Sequence, residues 1–151
     1  MSASIVLGYD GSACSAAALD EAVELARGQN VGEIILVYCH EPPPGLSCEL
    51  DPTSATAREL RQYEHSVERD VRPMLQAAVE KIQSAGVHAD LQMVWEDPAH
   101  ALVHVAQHVH AHLIVVGSHG EGPLHGALRH CAPYEVLRRS DVPVLVVPHR
   151  H

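Results

Sequence analysis

Short, unbroken apolar runs alternate along the chain with longer segments whose apolar residues recur every third or fourth position. Residues 4–9 (SIVLGY) form the first run and end at Asp10-Gly11-Ser12, the pattern of a buried strand leading into a turn. Ser12 is a good N-cap, and Leu19, Ala22, Val23 and Ala26 follow at helical spacing, with Gly28 expected to close the helix. Residues 34–39 read as a second buried strand, which runs out into His40-Glu41-Pro42-Pro43-Pro44-Gly45.

The segment 54–84 is helical, with an apolar stripe of Leu60, Val67, Val71, Met74, Leu75, Ala78 and Ile82. Pro73 lies inside it, and a kink or break is expected there because proline removes a backbone donor. Residues 87–95 alternate apolar and polar as a half-exposed strand does, and Asp97-Pro98 opens a helix to about residue 110. A fourth buried strand over 112–116, a short helix over 132–139 and a fifth strand from Val142 to Val147 complete the order. Such alternation predicts one α/β domain over residues 1–151: an open parallel five-stranded sheet covered by helices on both faces. In such sheets ligands bind outside the C-terminal strand ends, where the strand order reverses. Asp10, Cys39-His40 and Gly117-Ser118-His119-Gly120 all fall at those ends.

Composition narrows the class. No apolar run is long enough to span a bilayer, and the chain shows no signal-peptide pattern, so a cytoplasmic protein is expected. A net charge of −9 with dispersed basic residues argues against nucleic acid as a partner. Cys14, Cys39, Cys48 and Cys131 show no CxxC spacing and read as thiols rather than a disulfide framework.

Three features occur together: V-V-G-S-H-G after a strand, Y-D-G-S after the first strand, and the closing V-P-V-L-V-V-P. In combination they resemble the universal stress protein family, across essentially the whole chain. The resemblance implies strand order 3-2-1-4-5, an ATP site built on a Gly-x2-Gly-x9-Gly-Ser/Thr loop, and in many members a homodimer through the last strand, here Val142 to Val147. Carried over, Asp10, Cys39, Gly117, His119 and Gly120 match positions near the ribose, adenine and phosphates. Where the family has Gly-Ser/Thr this chain has His130-Cys131, with Pro133 shortly after. A non-glycine at 130 crowds a triphosphate, and a thiol is a poorer donor than a hydroxyl. Weakened or lost ATP binding is therefore expected.

No serine sits in a nucleophile-elbow pattern, so the chain is expected to act by binding, or at most as a slow ATPase. Thirteen histidines against no phenylalanine leave two constellations to weigh. His100, His104 and His108 stand at i, i+4, i+8, a spacing that can chelate a metal and is equally that of a solvated helix face. Cys14, Cys39, His40, His119, His130 and Cys131 belong to the strand ends, where a converted pocket would act as a thiol or metal sensor. No metal is expected. The primary expectation is a stress-response binding module; an ATP-binding switch and the sensor are the alternatives.

Overall fold

The computed structural model describes residues 3–40, 53–118 and 133–148. Five strands and four helices alternate: β1 (Ser4–Gly8), α1 (Ala13–Gly28), β2 (Glu33–Cys39), α2 (Ala55–Ser84), β3 (His88–Val94), α3 (Pro98–His108), β4 (Leu113–Gly117), α4 (Pro133–Arg139) and β5 (Val144–Val147). The sheet is wholly parallel with order β3-β2-β1-β4-β5, as the strand-and-helix alternation and the family resemblance together implied.

Strand periodicity divides the interior into two layers. Ile5, Leu7, Ile34, Leu36 and Tyr38 point to one face and pack with Leu19, Ala22, Val71, Leu75 and Ile82 of α1 and α2. Val6, Ile35, Val37 and Cys39 point to the other and pack with Ala99, Leu102, Val105 and Ala106 of α3 and with Val136 of α4. The central strands β1 and β2 are apolar at nearly every position because both faces are covered. β3, at the sheet edge, is exposed or half-buried throughout, which fits its alternating sequence.

Gly28 closes α1 as expected, and Asn30, with φ of 55°, takes the left-handed conformation two residues later. Two features differ from expectation, each for a local reason. α2 runs uninterrupted through Pro73. Pro73 is exposed, as is Arg69, whose carbonyl loses its partner, while Val71 and Leu75 on the opposite side are fully buried. The orphaned carbonyl belongs to an exposed residue, and packing of the opposite side holds the helix together against the proline penalty of roughly 3 kcal/mol. β5 begins at Val144, not Val142. Ser140 Oγ accepts from the Val142 amide at 2.9 Å and donates to its carbonyl at 2.6 Å, a tight local turn, and Pro143 has no N–H to offer a ladder.

The helical setting of Gly28 is testable. A Cβ at position 28 would meet nothing within 4 Å, and the backbone there is helical. Gly28→Ala is expected to stabilise the protein by about 0.4–1 kcal/mol, read as a higher urea midpoint. A destabilised variant would show that Gly28 holds a left-handed cap after all.

Candidate functional site

The turn after β1 is built by a short polar network. Asp10 is fully buried, and its Oδ1 accepts from the Ser12 amide at 2.9 Å. Ser12 caps α1, its Oγ accepting from the Ser15 amide at 3.1 Å. Ser15 Oγ donates to the Ser12 carbonyl at 3.0 Å, and the Asp10 amide donates to Ser15 Oγ at 3.3 Å. Gly11 between them has φ of +82° and lies under the thioether of Met74 from α2. Asp10 Oδ2 is the one buried side-chain oxygen or nitrogen among the described residues that lacks a hydrogen-bond partner. A buried carboxylate oxygen without a donor is costly, by about 1–3 kcal/mol or more.

β1 and β4 are neighbours at the point where strand order reverses, so their C-terminal ends border a crevice. Gly117 closes β4 there. A Cβ on it would lie 2.7 Å from the carbonyl carbon and 2.8 Å from the carbonyl oxygen of Cys14. This glycine is therefore required by backbone-to-backbone contact with the first turn of α1, independently of any ligand. The contact brings Cys14 Sγ to 3.9 Å from Ser118 Oγ. The first-turn amides of α1, the positive end of a 16-residue helix, open beside the same strand ends.

Cys39 and His40, grouped by sequence, part company in space. Cys39 is buried in the apolar layer facing α3, whereas His40 lies on the other face beside Tyr38, two residues away. His40 is only 7% exposed. Its Nδ1 lies 3.2 Å from Tyr38 Oη and its Nε2 2.7 Å from Tyr63 Oη of α2, with the Trp95 ring edge-on at 5.7 Å between centroids. Cys14, Cys39 and His40 thus do not converge on one sensor site. Among the described residues no group of three His, Cys, Asp or Glu is placed to hold a metal ion. His119, Gly120, His130, Cys131 and Cys48 lie outside the described residues. His100, His104 and His108 are exposed on α3, with Leu102 and Val105 buried behind them.

Sequence reasoning missed Tyr38, Tyr63, Trp95 and Ser15. The alternation of β2 puts Tyr38 and His40 on one face, a signal legible in advance; the approach of Tyr63 from α2 is not. Burial pushes the Tyr38 phenol well above its ordinary range, with the nearby Asp10 carboxylate adding to the rise. Tyr9 is raised for the same two reasons.

The chain matches the model of the Universal stress protein family over residues 1–148. It is 30% identical over 143 residues to universal stress protein YxiE of Bacillus subtilis, covering 95% of this chain and 97% of that one. Among solved structures it resembles a universal stress protein in complex with cAMP at 26% identity and a TM-score of 0.67, over 98% of each chain. The hypothetical protein MJ0577 shares the fold with a TM-score of 0.79 at 17% identity, over 100% of this chain and 99% of that one.

Two outcomes follow from this geometry. Gly117→Ala is expected to destabilise the fold by about 1–3 kcal/mol, seen as a lower denaturant midpoint, because neither backbone can yield freely. An unchanged midpoint would refute the close contact. In an alkaline spectrophotometric titration, the Tyr38 phenol is expected to ionise late, a phase that Tyr38→Phe removes. The neutral phenol is favoured in the fold, so this contribution to stability is intact below about pH 10 and is lost as pH rises through the folded-state value.

Proposed function

The chain belongs to the universal stress protein family, and from that premise we propose that it is a binding and regulatory module of the stress response, with an adenine-nucleotide site of reduced affinity. The observation that carries the reading is Asp10. It is fully buried at the crevice, one oxygen engaged in the α1 turn and the other without a donor among the described residues. A ribose hydroxyl is a donor of the right kind to meet it. The cAMP complex of a relative at 26% identity supports an adenine nucleotide as the ligand class.

Reduced affinity follows from the loop sequence. His130-Cys131 stands where the family's loop has Gly-Ser/Thr, removing a permissive backbone position and a hydroxyl donor. Losing one or two charge-assisted bonds, each about 1.5–3 kcal/mol, weakens a triphosphate by an order of magnitude or more. The module works by binding, with slow hydrolysis or none. Its site of action is the cytoplasm; no helix among the described residues is long and apolar enough to cross a membrane.

A homodimer through the last strand, 142–147, completes the proposal. β5 has a sheet neighbour on one side only. Tyr134 and Leu137 of α4, at 68% and 50% exposure, add apolar surface to the region. Sedimentation at micromolar concentration is expected to give a dimer; a monomer would remove this part of the reading.

Calorimetric titration with ATP tests the nucleotide site. The double variant His130→Gly/Cys131→Ser is expected to bind about tenfold tighter than the unaltered chain, or more. Asp10→Asn keeps an oxygen for the Ser12 amide and so the turn, yet is expected to weaken binding in both backgrounds. Absence of heat at millimolar ATP in both chains would eliminate the nucleotide site.

A further inference from the structure

The histidine stripe on α3 is not absorbed by the nucleotide reading, and its geometry carries an argument of its own. Asp97 caps α3, its Oδ2 accepting from the His100 amide at 3.0 Å, and Pro98 occupies the first turn. The apolar positions Leu102, Val105 and Ala106 are buried against the sheet, which turns His100, His104 and His108 outward. Histidine is neither a strong helix former nor needed for packing on such a face.

Glu96, one turn before His100, places its Oε2 3.0 Å from His100 Nδ1. An ionised carboxylate only accepts, so Nδ1 carries the proton and the Nε2 lone pair of the neutral ring is left to bind a ligand. This carboxylate–imidazole pairing is the arrangement that orients histidines toward metal ions. The His104 ring lies beside it, with ring centroids 5.8 Å apart and planes inclined by 28°. A zinc ion sits about 2.0–2.1 Å from a ring nitrogen, hence roughly 3.2 Å from the ring centre, so two rings share one ion when their centres are roughly 5–6 Å apart. Both side chains are exposed.

We propose that His100 and His104 form a two-imidazole chelate on α3 for a borderline divalent cation of the zinc, copper or nickel class, with Glu96 as the positioning carboxylate. Imidazole ligands select that class over magnesium or calcium. No third protein ligand converges among the described residues, so water completes the coordination and the site is open and exchangeable. The cation clamps two successive turns near the start of α3, the helix that covers the β1, β2 and β4 side of the core. A cation held only by the folded helix stabilises the native state in proportion to its free concentration.

The test is a calorimetric titration of the full chain with zinc chloride beside the double variant His100→Ala/His104→Ala. Alanine favours an exposed helix position more than histidine does, and an unchanged far-ultraviolet dichroism spectrum verifies folding. The unaltered chain is expected to bind one zinc ion that the double variant does not, and to gain thermal stability with zinc that the variant lacks. Glu96→Gln is expected to weaken that event by about tenfold, and His108→Ala to leave it in place. Coincident titrations of the unaltered chain and the double variant, with zinc held elsewhere or nowhere, would overturn the proposal. So would loss of the event in His108→Ala. None of these residues belongs to the nucleotide site, so either reading can fail alone.

Discussion

The contact between Gly117 and the backbone of Cys14 constrains the whole crevice. With no room for a Cβ between them, the end of β4 and the first turn of α1 meet backbone to backbone. That approach fixes where α1 starts, and so the turn that joins it to β1. The turn in turn requires Gly11 in a left-handed conformation and Ser12 as the cap. Asp10 is then drawn fully inside, because its Oδ1 is the acceptor that the Ser12 amide needs. A buried carboxylate with one oxygen committed to the turn is thus a consequence of close packing at the switch point of the sheet. The polar turn and the close approach of β4 to α1 have one origin.

Much of this was legible because it lies in the backbone and its periodicity. Doubly buried strands read as apolar runs, amphipathic helices as period-3.6 stripes, and their alternation predicts a parallel sheet without any tertiary information. The placement of Asp10 and Gly117 at the C-terminal strand ends was legible because the strands themselves were. The errors fell where a local rule met a tertiary one. Pro73 removes a helix hydrogen bond, but it does so on the exposed side, while the buried stripe of α2 holds the helix continuous. The pairing of Cys39 with His40 in one pocket ignored the period of two that sends neighbours to opposite faces. The contact of His40 with Tyr63 joins residues 23 apart through the packing of α2, and no spacing rule encodes it.

The histidines show how environment assigns different chemistry to one side chain. His40 sits between two phenols and beside an indole, buried, with both ring nitrogens within hydrogen-bond distance of a hydroxyl. Neither nitrogen can bind a cation without breaking its hydrogen bond to a tyrosine hydroxyl. Its role is to tie α2 to the end of β2. His100 is exposed, has one nitrogen held by a carboxylate, and faces a second imidazole at a separation one ion could span. Counting histidines and thiols along the sequence would rank the strand ends above the helix stripe. Among the described residues, counting available lone pairs favours α3, where a carboxylate holds one nitrogen of His100 and leaves the other open.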